Sequence, residues 1–134
     1  VLKAVESAEE TTATCDRIHL TIAFSYGARQ ELVLAMRKLA QEVQAGHLSP
    51  ADIDEAVLSA NLLTAGLPDP DLLIRSSGEK RISNFLLWQL AYAELVFVDT
   101  LWPDFDRADL EVALAEYSRR DRRYGGLKQL PTSA

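Results

Sequence analysis

A chain of 134 residues with 48% hydrophobic side chains is one domain's worth of sequence and carries enough apolar content for a substantial core. Its net charge of −6 argues against a nucleic-acid partner, because counterion release needs a concentrated basic face. A single cysteine, Cys15, excludes an internal disulfide and fits a reducing cytosol, and there is neither an apolar run of membrane length nor a signal peptide, so the chain reads as soluble and cytoplasmic.

Val1, Leu2, Val5 and Ala8 keep helical spacing from the first residue, with no capping residue ahead of them and no initiator Met. The expectation is a helix entered partway along, and therefore a truncated chain. A polar linker, Thr11 to Asp16, precedes Ile18, Leu20, Ile22 and Phe24, which alternate with His19, Thr21, Ala23 and Ser25 and predict a strand ended by Tyr26-Gly27. Cys15 reads as a small residue at the strand entrance, with no base near it to make a reactive thiol. His19 and His47 lack a second ligand at metal-binding spacing, so no zinc site is readable. From Arg29 the positions Leu32, Met36, Leu39 and Val43 predict a helix stopped by Gly46. Ser49-Pro50-Ala51-Asp52 combines a cap, a first-turn proline and a first-turn acid, which predicts a structural helix from Pro50 to about Asn61.

Turn residues Leu67 to Pro70 then introduce a short apolar strand, Leu72 to Arg75, that delivers a polar loop, Ser76 to Ile82. Ser83 suits an N-cap, and the apolar run Asn84 to Leu90 predicts a buried helix with Phe85 and Trp88 in the core. On that reading the loop sits at a helix N-terminus, flanked by the guanidinium groups of Arg75 and Arg81, and makes an anion site suited to phosphate. The rival is a structural ion pair of these arginines with Asp71 or Glu79. Glu94, between Ala93 and Leu95 at the start of a strand running to Val98, is poorly solvated without a cation, and its rival is a carboxylate paired with an arginine. Trp102 before Pro103 reads as a packed turn. Asp106 caps a final helix with Leu110, Leu114 and Tyr117 on one face and Gly125-Gly126 at its end. Of the charge run Arg119 to Arg123, only the part Arg123-Tyr124-Gly125 carries a functional expectation; the rest reads as a solvated helix end. Residues 1–126 form the ordered portion of a single domain, and 127–134 read as a disordered tail.

Strands separated by helices imply a parallel α/β sheet with helices on both faces. About three strands are readable, too few to cover their own edges, so another polypeptide or an oligomer is expected to complete the sheet.

Several short motifs occur in order: Phe24-Ser25-Tyr26-Gly27-Ala28-Arg29-Gln30-Glu31, Ile74-Arg75-Ser76-Ser77-Gly78-Glu79, Arg81-Ile82-Ser83-Asn84-Phe85, Trp88-Gln89, Tyr92-Ala93-Glu94-Leu95, Phe97, Leu101-Trp102-Pro103-Asp104-Phe105 and Arg123-Tyr124-Gly125. Together they resemble the C-terminal part of the cis-prenyltransferases, of which the bacterial undecaprenyl diphosphate synthases are the nearest in pattern. Ser76 stands where that pattern has Thr, and Ala28 where it has a second Gly. The Asp-Gly-Asn-Gly-Arg-Trp stretch that binds the allylic diphosphate and magnesium in the family is not in the sequence.

The resemblance implies a transferase of isoprenoid biosynthesis that condenses isopentenyl diphosphate with an allylic diphosphate, forming cis double bonds and a cell wall precursor. It implies that Arg75, Arg81, Ile82 and Ser83 hold the diphosphate of isopentenyl diphosphate, with Ser77, Gly78 and Glu79 shaping the loop. Glu94 would coordinate magnesium. Arg123 and Gly125 would reach the diphosphate site of a second copy in a homodimer, and the lipid product would bring the protein to a membrane surface. No catalytic residue is assigned, and the chain alone is expected to be inactive. A non-catalytic partner subunit and an anion-binding dimerisation module are the alternatives.

Overall fold

The computed structural model describes residues 2–121, so expectations for Arg123, Tyr124, Gly125, Gly126 and the tail fall outside the described residues. In chain order the elements are helix α1 (Leu2–Thr12), helix α2 (Ala28–Gln44), a 3-10 turn at Pro50–Asp52, helix α3 (Glu55–Ser59), strand β1 (Leu72–Arg75), strand β2 (Glu94–Phe97), a 3-10 turn at Trp102–Asp104 and helix α4 (Arg107–Ser118).

The sheet is two parallel strands, with Leu72 opposite Glu94 and Arg75 opposite Phe97. Val96 of β2 is 1% exposed, α4 packs against this strand, and Ala113 of α4 is buried. The other buried apolar residues among those described are Ala28, Ala35 and Leu39 of α2, with Leu62 and Leu90. The α/β class and the parallel pairing expected from the sequence are present.

The third strand is not. Ile18 and Phe24 are 83% and 64% exposed, and residues 18–24 pair with no strand among the described residues. Period-two alternation decides which way side chains face, but a strand exists only where a neighbour completes its ladder of hydrogen bonds.

In α2 the buried stripe is Ala28, Glu31, Ala35 and Leu39, whereas Met36, on the expected face, is 56% exposed. The helix starts where expected and ends just before Gly46, whose φ of 75° favours a residue without a β-carbon. The helix expected from Pro50 to Asn61 is two pieces. Ile53 is extended, and the carboxylate of Asp54 accepts from the Val57 N–H at 2.8 Å, starting α3 afresh.

The expected helix over residues 84–90 is replaced by a series of turns. Ser83, Asn84 and Leu86 have φ of 49°, 62° and 46°, and left-handed residues cannot propagate a right-handed helix. Asn84 is committed elsewhere: its carbonyl accepts from the Ala28 N–H and its Oδ1 from the Arg29 N–H, each at 2.9 Å. These bonds satisfy orphan donors at the start of α2, whose own N-cap, Gly27, has no side chain to do so. A β-carbon on Gly27 would lie 2.9 Å from the Asn84 amide nitrogen, so the absence of a side chain is what lets the two segments meet.

Phe85 is partly exposed and meets Tyr26 edge-on at 5.8 Å, and half-buried Trp88 donates to Ser59 Oγ at 3.0 Å; neither is a fully buried core residue. Trp102 is also exposed and stacks on Phe105 at 5.9 Å. Asp106 caps α4 in a reciprocal capping box with Asp109, as its sequence suggests. The helix closes at Ser118, with Arg119 as its C-cap, well before the glycines expected to stop it, and its Leu110 and Leu114 remain substantially exposed.

Candidate functional site

β1 ends at Arg75, and the loop that follows is pinned to the exit of β2. The Val98 N–H donates to Arg75 O, the Gly78 N–H to Val98 O and the Ser77 N–H to Thr100 O, each at 2.9 Å. Gly78 has φ of 66°, and a β-carbon there would lie 3.2 Å from Asp99 Oδ1. The loop therefore lies close against the segment that follows β2, and Ser77 takes a left-handed φ of 70° within it. Thr100 Oγ1 donates to Asp109 Oδ1 at 2.8 Å, extending the same bracing to α4.

Arg75 is half-buried and forms no ion pair among the described residues. Arg81 differs. It is exposed and ion-paired with Glu79, which is the bland alternative realised for that residue. Ile82 is half-buried and its carbonyl accepts from the Phe85 N–H at 3.0 Å. Ser83 is exposed and caps no helix. The expected helix dipole behind the loop is thus absent, and any anion held here depends on the two guanidinium groups and nearby polar groups.

Glu94 opens β2 level with Leu72, three register steps, or roughly 10 Å, from the level of Arg75. Three is an odd number of steps, so the two side chains leave the sheet on opposite faces. Oε2 of Glu94 accepts from Arg120 Nη1 at 2.8 Å, so the arginine-paired reading of this carboxylate is the observed one. The other terminal nitrogen of Arg120 bonds to Glu116 Oε1. The hydrogen bond to Glu94 first, and that to Glu116 second, hold the Arg120 guanidinium above its ordinary pKa, so it stays charged. Among the described residues no three His, Cys, Asp or Glu side chains cluster as a metal site. Glu94 is a single hard oxygen ligand, which fits magnesium only where phosphate oxygens and water complete the shell.

One functional-looking cluster carries no expectation from sequence. Glu31, in the first turn of α2, is 3% exposed and accepts from the Tyr26 hydroxyl, from the Leu63 N–H at 2.9 Å and from Gln89 Nε2 at 3.2 Å. Gln89 Nε2 also donates to Thr64 Oγ1 at 2.8 Å. One carboxylate thereby ties α2, the segment at 63–64 and the turns that follow the arginine loop. The available signal was the spacing of Glu31, Ala35 and Leu39, four residues apart on one helical stripe.

Burial first, and the bond to Glu31 second, push the Tyr26 phenol well above its ordinary value near 10. A raised pKa means that folding favours the protonated phenol: the stabilisation is complete below about pH 10 and is lost as pH rises through the folded-state value. Tyr26→Phe is expected to flatten the decline in urea midpoint between about pH 10 and 12 relative to the unaltered protein. Parallel declines for the two would show that Tyr26 does not carry this dependence.

His47 Nδ1 contacts Glu42 at 3.1 Å on the surface, and Cys15 is exposed; neither joins a site. No helix among the described residues is long and apolar enough to cross a membrane.

The "Putative undecaprenyl diphosphate synthase" family model matches residues 1–125. The chain is 56% identical over 123 residues to isoprenyl transferase 2 of Bradyrhizobium diazoefficiens, covering 92% of this chain and 49% of that protein. It is 54% identical over 128 residues to the (2E,6E)-farnesyl-diphosphate specific ditrans,polycis-undecaprenyl-diphosphate synthase of Lactiplantibacillus plantarum, covering 93% of this chain and 49% of that one. Among solved structures, lavandulyl diphosphate synthase from Lavandula x intermedia, in complex with dimethylallyl diphosphate, superposes with a TM-score of 0.86 at 45% identity, covering 92% of this chain and 53% of its own. The chain spans about half the length of the curated relatives it matches. With residues 1–125 matched by the family model and a shared fold, the chain belongs to the undecaprenyl diphosphate synthase family of prenyltransferases.

Proposed function

We propose that this chain carries the isopentenyl diphosphate side of a polyprenyl diphosphate synthase that condenses isopentenyl diphosphate with an allylic diphosphate, forming cis double bonds. The observation that carries this reading is Arg75: a half-buried arginine, without an ion pair among the described residues, at the mouth of a backbone-pinned loop. A desolvated cation needs a counter-charge, and a diphosphate supplies it with oxygens matched to the guanidinium fork. Arg81, Ile82 and Ser83 complete the grip from the far side of the loop. Glu79 orients Arg81 through their ion pair, and Ser77 and Gly78 set the loop's path.

Glu94 contributes one oxygen ligand to magnesium, and Arg123 and Gly125 of a second copy complete the diphosphate site. Magnesium, when bound, neutralises the charge that builds on a departing diphosphate. A cytoplasmic homodimer that meets a membrane surface through its lipid product belongs to the same reading, and a one-chain mass in sedimentation would remove the dimer from it.

The stretch that binds the allylic diphosphate in this family is not among these 134 residues. Incubated with radiolabelled isopentenyl diphosphate, an allylic primer and magnesium, the chain by itself is therefore expected to retain label on filtration but to form no prenyl product. Condensation at a rate typical of an intact synthase, or no retained label at all, would overturn the assignment.

A further inference from the structure

Arg120 faces two carboxylates at once. Its Nη1 lies 2.8 Å from Glu94 Oε2 on the sheet, and its other terminal nitrogen bonds to Glu116 Oε1, four residues earlier in α4. The Arg120 and Glu94 side chains are 30% and 26% exposed, so the pair is desolvated enough to matter and open enough for an ion to reach it from solvent. We propose that Arg120 sets the cation affinity of Glu94 by occupying its carboxylate until a divalent ion displaces it. This rests on the reading of Glu94 as a magnesium ligand.

The exchange is physically inexpensive for three reasons. Arg120 lies past Ser118, the last residue of α4, so its side chain can leave Glu94 without unwinding the helix. On leaving, it keeps Glu116, and the displaced guanidinium is never a half-buried charge without a partner. A divalent ion and a guanidinium repel each other at contact distance, so one carboxylate serves either of them well and both of them poorly. Glu116 is thus the parking position, and its strength tunes how readily Glu94 is released.

The test is Mn²⁺ binding followed by electron paramagnetic resonance, with inorganic pyrophosphate present, on the unaltered protein and three variants. Arg120→Met should tighten Mn²⁺ binding by about five- to tenfold, the range expected for losing one partly buried competing ion pair. Glu116→Gln, which leaves Arg120 with Glu94 as its remaining carboxylate, should weaken it. These opposite signs separate competition from a fold defect, since loosening the β2 to α4 contact would weaken binding in both. Tighter binding in Arg120→Met together with weaker binding in Glu116→Gln supports the proposal. Unchanged or weaker binding in Arg120→Met overturns it, and so does unchanged or tighter binding in Glu116→Gln should the first variant fail to fold. Glu94→Gln should lose the Mn²⁺ site. If it binds as the unaltered protein does, the reading of Glu94 as a ligand falls, whereas loss there with no gain in Arg120→Met removes the competition alone.

Discussion

Arg75→Ala is expected to weaken binding of isopentenyl diphosphate by about ten- to more than a hundredfold, since a charge-assisted contact of this kind is worth about 1.5–3 kcal/mol. Arg81→Ala should do less, because that side chain is exposed and Glu79 already neutralises it. The difference separates a phosphate grip from general surface charge, which would make the two substitutions equivalent. Isothermal titration with isopentenyl diphosphate and with inorganic pyrophosphate measures both, and the loss should be of similar size for the two ligands because the arginines contact the diphosphate and not the hydrocarbon. Unchanged affinity in both variants would remove the anion site from this loop.

Glu31→Ala is expected to have the largest effect on stability, about 3 kcal/mol, read as a shift in urea midpoint. The substitution removes the acceptor of the Tyr26 hydroxyl, of the Leu63 N–H and of one Gln89 bond. Each buried donor left without a partner costs about 1–3 kcal/mol, and the sum is reduced because Gln89 retains Thr64. Glu31→Gln keeps an acceptor oxygen and should lose about half as much. Equal losses for the two would mean that the carboxylate's hydrogen bonds are not what joins α2 to the turns after the arginine loop. The Glu31→Ala variant should also bind diphosphate more weakly, since Asn84 and Gln89 hold those turns against α2.

What the sequence determined by itself was whatever depends on groups a few residues apart. Asp106 capping the next helix, Gly46 stopping α2, the short strand ending at Arg75 and the polar loop after it all follow from side chains acting on their own backbone. The order of the motifs was legible too, and it pointed to the family. The tertiary structure decided everything that needs a distant partner. The period-two run from Ile18 to Phe24 is a strand only if another strand lies beside it, and among the described residues none does. Residues 84–90 have helical composition, yet Asn84 closes the start of α2 and takes the left-handed backbone that this requires. The choice of face in α2 turned on Glu31, which is buried because Tyr26, Leu63 and Gln89 converge on it from separate segments. That Arg120 is the arginine paired with Glu94 was likewise not legible, since the two are 26 residues apart and only the fold brings them together. Caps and turns are set by atoms bonded close along the chain, whereas the partner of a buried polar group is set by whichever segment the fold brings within hydrogen-bond reach.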